Sequence, residues 1–420
     1  MCVAVIGRIT ELRGKQAIVS FRGALKEISI AMVPHAALGD DVVVHAGYAS
    51  EIVKDTQKLH REMVASDSYS RQILDAIERE SKNLGDRRLR IMNFCGTHEN
   101  SIAKYGLREI LPANIQLVSG PGCPVCVTPE EEIALGMEAV KRKDVILTTY
   151  GDLIRVPTKW GSLEKLRSEG ADIRVVYDID QAIQIACSTQ KEVVHFAVGF
   201  ETTAPTTAYA LSELPSDIGN FAVISSHRIT PPAVEYVLNR VTVDGVICPG
   251  HVAMITGIKP FSILCGKFGI PFAIGGFEAQ DVLQAVLQIL IQLREKTYSV
   301  VNQYSRIVDK DGNALALQLM NEVFDLKDAY WRGLDSLQQS RLILKGNYRR
   351  FDAENKFEFS IARQPDMTVN TCMCGEVLLG AKPAFCPNFG DQCNPETPLG
   401  PCMASMEGTC HTFYTNSYFQ

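Results

Sequence analysis

The chain has no long hydrophobic run, no excess of basic charge and no paired-histidine motif, and each absence removes a class of function. Its longest apolar helical stretch, Val282–Leu293, is interrupted by Gln284, Gln288 and Gln292, so nothing in it reads as membrane-spanning. Met1-Cys2-Val3 lacks the basic start of a secretory leader, and Gly7-Arg8 ends the apolar run, so a cytoplasmic protein is expected. Lys and Arg number 42 against 48 Asp and Glu, a net charge of −6 with no basic cluster, which speaks against nucleic acid and anionic membranes as partners. The 8 histidines show no H-x-x-x-H or H-x-H spacing, so a metal-dependent hydrolase would lack its usual ligand pattern.

Cysteine is what the chain has in quantity. Thirteen thiols in a reducing compartment argue for metal or redox work rather than structural disulfides. Three of them frame the central stretch, N-F-C-G-T-H-E from Asn93 and G-P-G-C-P-V-C-V-T-P ending at Pro129. Leu89–Phe94 and Ile115–Ser119 read as consecutive parallel strands. Thr97 is expected to cap a helix starting near His98, and Thr128 with Glu131 to form a capping box opening a helix over Pro129–Lys141. Cys95, Cys123 and Cys126 then lie beyond strand carboxyl ends and close to helix amino termini, where ligands bind and thiolate is favoured over thiol. A lone cysteine is ordinarily a small buried hydrophobe, and one C-x-x-C is equally half a zinc site or a redox pair. Gly, Pro, Cys, His and Glu crowded at adjacent strand ends favour chemistry, because a packed core has no use for them there.

The remainder divides by pattern into five segments. Residues 1–54 hold the short β-rich runs Val3–Ile6, Gln16–Phe21, Glu27–Met32 and Asp41–Ala46, with Gly-containing turns between them, as in a small OB-like β-barrel. Cys2 stands at its start, a reachable terminal ligand once Met1 is removed, and His45 ends its last strand. Residues 55–85 form a linker, over 55–68, and a helix over Tyr69–Asn83. Residues 86–160 and 161–305 alternate strand and helix and are expected as two α/β domains with parallel sheets. In the second, Glu201, His227, His251 and Glu278 each follow a strand and are expected to line one cleft. Cys187, Cys248 and Cys265 read as core or incidental. Residues 306–420 are expected as a helical and Cys-rich domain, irregular at its end, where Cys372, Cys374, Cys386, Cys393, Cys402 and Cys410 fall among Pro and Gly. That tail lacks the close C-x-x-C knuckles of a zinc ribbon. Its wider spacing suits four thiolates on an iron–sulfur cluster, with two cysteines left over as a redox pair.

Residues 85–420 resemble the HypD family of hydrogenase-maturation proteins through C-G-T-H-E, G-P-G-C-P-V-C-V-T-P, G-D-L-I-R-V-P, G-F-E-T-T-A-P-T-T, P-G-H-V, G-F-E and the six-cysteine tail. Residues 1–54 resemble HypC through M-C-V-A-V-I-G and V-H-A-G-Y-A, so the chain resembles a HypC–HypD fusion; the separate helical tail usual in HypC is absent or merged into Tyr69–Asn83. The resemblance implies a metallochaperone-like scaffold for the Fe(CN)2(CO) unit of [NiFe]-hydrogenase rather than a conventional turnover enzyme. It implies Fe(II) carrying CN and CO held by Cys2 and Cys95, with His98 and His45 near, and Cys123 with Cys126 as the adjacent redox pair. By likeness to ferredoxin:thioredoxin reductase, a [4Fe-4S] cluster falls to Cys372, Cys386, Cys393 and Cys410, and a disulfide to Cys374 and Cys402. Implied partners are HypE with HypF as cyanide donor and the hydrogenase large-subunit precursor. The competing reading is an iron–sulfur protein disulfide reductase, which uses Cys123, Cys126 and the tail but leaves Cys2, Cys95, His98 and His45 idle.

Overall fold

The structure, a computed structural model, describes residues 5–21, 24–45, 48–53, 64, 66–215, 218–360 and 372–417. They fall into a small unit, Met1–Ser68 with Lys104–Gly106, and a large one, Tyr69–Ala103 with Leu107–Gln420. The linker expected over 55–68 lies mostly outside the described residues, and so does Cys2.

The small unit is a closed five-stranded barrel: β1 (Val5–Arg13), β2 (Gln16–Phe21), β3 (Ala24–Ser29), β4 (Asp41–His45) and β5 (Tyr48–Val53), in the order β1-β2-β3-β5-β4. Its pairings are antiparallel except that of β3 with β5. Alternate residues Ile9, Ala17, Val19, Ile28, Val42 and Ala49 fill the centre. Four strands were expected and five occur. The missed one, β5, points alanine rather than a large hydrophobe inward at Ala49, and the β4–β5 ladder shifts register between Val43 and Val44, which breaks the alternation. Of His45 only the backbone is described, paired with Tyr48.

The large unit opens with the helix Ser68–Asn83, as its apolar stripe predicts. Nine short strands follow: β6 (Leu89–Asn93), β7 (Ile115–Ser119), β8 (Val145–Thr149), β9 (Ile173–Val175), β10 (Glu192–Gly199), β11 (Phe221–His227), β12 (Gly245–Pro249), β13 (Phe272–Gly275) and β14 (Val300–Asn302). They build two parallel sheets, β14-β13-β12-β6-β7 and β11-β10-β8-β9. The sheets therefore do not divide the chain at residue 160. The first takes its strands from residues 89–119 and 245–302, and the second lies wholly between them, from 145 to 227. Periodicity reveals that strands alternate with helices; which strands pair is decided by tertiary packing, which leaves no local signal.

That strand order corrects a second expectation. Glu201 and His227 end strands of one sheet, while His251 and Glu278 follow strands of the other, so the four do not share a rim. Each has a structural duty. Glu201 accepts from the Thr230 N–H at 2.7 Å and from its hydroxyl at 2.8 Å, at the start of the helix Thr230–Leu238. Buried His227 meets the Thr207 hydroxyl at 2.9 Å, His251 stacks on Phe277, and Glu278 closes a capping box with Asp281.

Burial pushes the Glu201 carboxyl up to about 7, with the Thr230 donors pulling it partly back. A carboxyl raised on folding contributes stability that is present below its unfolded value and lost as pH rises through about 7. Glu201→Gln keeps an acceptor for Thr230 but does not ionise. Its thermal midpoint should fall less than that of the parent between mildly acid and mildly alkaline buffer. Equal slopes in calorimetry would refute the assignment.

Beyond the sheets a helix, Ala314–Val323, leads into an antiparallel hairpin, β15 (Phe324–Tyr330) and β16 (Ser336–Leu344), where only helical and Cys-rich structure was expected. Its faces are polar on one side, and Trp331 beside it is wholly buried with its indole N–H on Ser340 at 3.0 Å. The cysteine-rich segment follows from residue 372 as short helical turns and the helix Thr409–Ser417. Among the described residues no helix is long and apolar enough to cross a membrane.

Candidate thiol and metal site

In the first sheet β6 lies between its sequence successor β7 and the much later β12, so the strand order reverses there. A crevice beyond the carboxyl ends is expected at such a reversal. Cys95 follows β6, and Cys123 follows β7 after Gly120-Pro121-Gly122. The two segments touch: a Cβ on Gly122 would stand 2.5 Å from the Cys95 Cα, so only glycine admits the approach. The Gly96 N–H donates to the Gly122 carbonyl at 3.1 Å. Cys123 and Cys126 form a disulfide, with Cα atoms 5.3 Å apart.

The helix after β6 begins at Gly96, two residues earlier than expected, so Cys95 rather than Thr97 precedes it. The backbone N–H groups of His98 and Thr97 point at the Cys95 sulfur and favour its thiolate. Burial overrides them and, with the Glu407 carboxylate adding to it, pushes the thiol up to about 11. The expected low-pKa thiolate is therefore not a property of the protein alone; a cation would have to displace that proton. Nor does Thr128 make its capping box. Its hydroxyl donates to the Pro124 carbonyl at 2.9 Å, and the helix Glu130–Ala139 follows Pro129.

His98 is fully buried, and its ring contacts are with the end of β13 and the segment after it. Its Nε2 lies 2.9 Å from the Gly276 carbonyl and 3.2 Å from that of Gly275, and the ring stacks on Phe277. Burial lowers it to about 4, so it is neutral at pH 7, with Nε2 carrying the proton toward the carbonyls. Its buried Nδ1 has no partner among the described residues.

The C-terminal cysteines close on the same crevice. The Thr409 and Ser119 hydroxyls meet at 2.7 Å, and the Asn100 amide donates to the Met406 carbonyl at 3.2 Å. Asp152 accepts from the Ser405 hydroxyl at 2.8 Å and the Met406 N–H at 3.1 Å, while Arg155 donates to the Pro395 carbonyl. The G-D-L-I-R-V-P motif thus holds the tail in place. Cys123 Sγ sits 3.5 Å from the Ser405 hydroxyl. A cavity of 10 Å3, about the smallest that holds a water, is walled by Cys123, Cys126, Cys402 and Glu407.

Behind that cavity the tail thiols converge. Cys372 and Cys374 sulfurs lie 2.8 Å apart, and Cys402 hydrogen-bonds with both Cys374 and Cys410. The S–H of Cys374 and that of Cys410 hold the Cys402 thiol well below the ordinary range against its burial. The same contacts push Cys410 up. Burial pushes the Cys393 thiol up, and Cys372 and Cys374 are close enough to add to the effect. Cys386, half-buried after the turn Pro383–Phe385, has no such contact among the described residues. Sulfur donors suit an iron–sulfur cluster better than an oxygen-seeking ion, but among the described residues no three Cys, His, Asp or Glu side chains are grouped closely enough to hold a metal ion as they stand. Cys248 and Cys265 are core, as expected, whereas Cys187 is exposed.

Glu407, Ser405 and Asp152 went unrecognised in the sequence. Glu407 carried a usable signal, as the sole charged residue between Cys402 and Cys410. Its backbone and Cβ pack over Gly96, whose added Cβ would meet the Glu407 Cβ at 2.7 Å, and burial raises its pKa, Asp152 adding to the effect.

Residues 68–417 match the family profile described as HypD, hydrogenase formation hypA family. The chain belongs to the HypD family. Residues 1–62 match the HupF/HypC family, so this HypD carries a HypC domain fused at its N-terminal side. Among similar proteins is hydrogenase maturation factor HypD2 of Bradyrhizobium diazoefficiens, 43% identical over 344 residues, covering 79% of this chain and 90% of that one. Hydrogenase maturation factor HypD of Cupriavidus necator is 39% identical over 347 residues, 80% of this chain and 91% of its own. That of Rhodobacter capsulatus is 37% identical over 358 residues, 83% and 95%.

Proposed function

We propose that this HypC–HypD fusion is a hydrogenase-maturation scaffold on which the Fe(CN)2(CO) unit of [NiFe]-hydrogenase is assembled, in the cytoplasm. The observation that carries the reading is that the Cys123–Cys126 disulfide and Cys402 wall one buried cavity, and that Cys95 packs against Gly122, which lines the same cavity. The iron is cargo, held by the thiolates of Cys95 and Cys2, with His45 and the backbone of the turn at His98 nearby. HypE with HypF is the cyanide donor, and the large-subunit precursor the recipient.

Delivery of cyanide from a thiocyanate needs two electrons. Reduced Cys123 and Cys126 supply them by closing their disulfide, leaving the donor's thiol and cyanide as products. Cys402 faces that disulfide across the cavity and Cys374 touches Cys402, which supports their assignment as the reducing pair. Cys402 attacks one sulfur of the Cys123–Cys126 bond and expels the other; Cys374 then attacks Cys402, so both electrons pass inward and a Cys374–Cys402 disulfide remains. A [4Fe-4S] cluster bound by Cys372, Cys386, Cys393 and Cys410 would supply the electrons that reopen it. Of these four, Cys372 and Cys410 touch other sulfurs, Cys393 lies within reach of Cys372 and Cys374, and Cys386 has neither kind of support. Cys386→Ala tests it: retained iron, sulfide and colour would remove it from the set.

Infrared spectroscopy of anaerobic protein, co-expressed with the maturation partners, tests the whole reading. Cyanide and carbonyl stretches are expected in the parent and not in Cys95→Ala or Cys2→Ala, with the visible cluster absorption kept in both. A parent that holds iron and reduces disulfides without those bands is the disulfide reductase instead.

A further inference from the structure

The second sheet has its own reversal of strand order, between β8 and β10, and a cleft of 640 Å3 opens beyond the ends of those strands. Its size is that of a ligand site. It is lined by Tyr150 and Val198, by Thr202, Thr203 and Thr206, and by Leu315 and Leu319. None of the thiols lines it, and the maturation reading makes no use of it.

Two features of the lining define what it accepts. Asp178, whose carboxylate also accepts from the Gln181 N–H as the cap of the helix Ile179–Cys187, and Asp180 are its acids, and among the described residues no lysine, arginine or histidine lines it to balance them. A phosphate, nucleotide or carboxylate would meet two carboxylates and no cation, so anionic ligands are excluded. The second feature is the rim, where Tyr177 is 90% exposed, Leu315 63% and Tyr209 54%. Large apolar side chains grouped at the mouth of one cleft mark a surface that meets another macromolecule. Tyrosine faces beside carboxylates are also the surroundings in which a guanidinium or ammonium is held by charge and ring together.

We propose that this cleft receives a segment of a partner protein that carries an arginine or lysine flanked by apolar side chains. The cation lies against Asp178 and Asp180 with the ring of Tyr177 or Tyr209 over it, and the flanking residues cover Leu315 and Leu319. The proposal stands apart from the iron chemistry and would survive its failure.

The test uses the full chain and a fluorescent capped peptide of arginine between two leucines, read by anisotropy. The same peptide with citrulline removes the charge at nearly constant shape. A variant combining Tyr177→Ala with Asp180→Asn alters two exposed side chains and puts no cation into the first turn of the helix Ile179–Cys187, so its thermal midpoint should stay close to that of the parent. Saturable binding of the arginine peptide is expected, weakened at least about tenfold by citrulline, by the double variant and by raised salt. Equal binding of the citrulline peptide would overturn the proposal, because the acids would then read no charge. So would the absence of saturation up to about 1 mM, or undiminished binding to the double variant.

Discussion

Cys402→Ser should leave the Cys123–Cys126 disulfide oxidised under conditions that open it in the parent. With dithionite under anaerobic conditions, the parent is expected to expose both thiols to alkylation, counted by mass spectrometry. The variant should show them alkylated only to the level of protein given no reductant. The expectation rests on position: Cys402 and the disulfide wall one small cavity, and the tail is pinned there by Asp152, Thr409 and Asn100. No second thiol of the tail lines that cavity, so no neighbour substitutes for Cys402. Visible absorption should persist, since Cys402 is assigned to exchange and not to ligation. Full alkylation of Cys123 and Cys126 in the variant would mean that electrons reach the disulfide by another way. Loss of colour would instead mean that Cys402 is a ligand.

The placement of Cys95, Cys123 and Cys126 was legible because strand, glycine and cysteine adjoin in the sequence; Ile115–Ser119 and Val145–Thr149 are the strands the sequence predicts. What surrounds them was not legible. Cys402 reaches the crevice across a separation of well over two hundred residues, and contacts such as Ser405 with Asp152 have no local periodicity to announce them. The electrostatics of Cys95 were half legible. Its place before a helix is visible in C-G-T-H-E, but its burial depends on Gly122 and Glu407, which only the fold brings close. The same limit explains the mistaken cleft of Glu201, His227, His251 and Glu278. Each does follow a strand, yet strands that look alike in sequence belong to different sheets. The motif residues around them turn out to be caps and packing contacts, a use of polar residues that spacing alone does not separate from catalysis.

Arg228→Met should be the most damaging substitution away from the thiols, costing about 3–5 kcal/mol of stability. Arg228 is completely buried and holds Glu132 with both terminal nitrogens, at 2.8 and 3.2 Å, while the Ser226 hydroxyl donates to Glu132 at 2.6 Å. Glu132 belongs to the helix Glu130–Ala139 that follows the Cys123–Cys126 loop, so this buried pair ties that helix to the end of β11. Arg341 stands 3.6 Å from the same carboxylate but is itself engaged by Glu354, and does not replace Arg228. Removing Arg228 leaves a buried carboxylate short of partners, which is why the loss exceeds that of a surface ion pair, about 1 kcal/mol at most. The double variant Arg228→Met with Glu132→Leu should recover much of the loss, because an apolar pair of similar volume leaves no stranded charge. The pH dependence is fixed in sign. Burial alone would push the Glu132 carboxyl up, but Arg228 and Arg341 overcome it and hold it below the ordinary value. A carboxyl lowered on folding contributes stability that is present above its unfolded value and lost as pH falls through its folded one. The deficit of Arg228→Met should therefore be greatest at neutral pH and shrink in acid. Urea unfolding at neutral and acid pH measures it; a loss below about 1 kcal/mol at neutrality would show that water reaches Glu132.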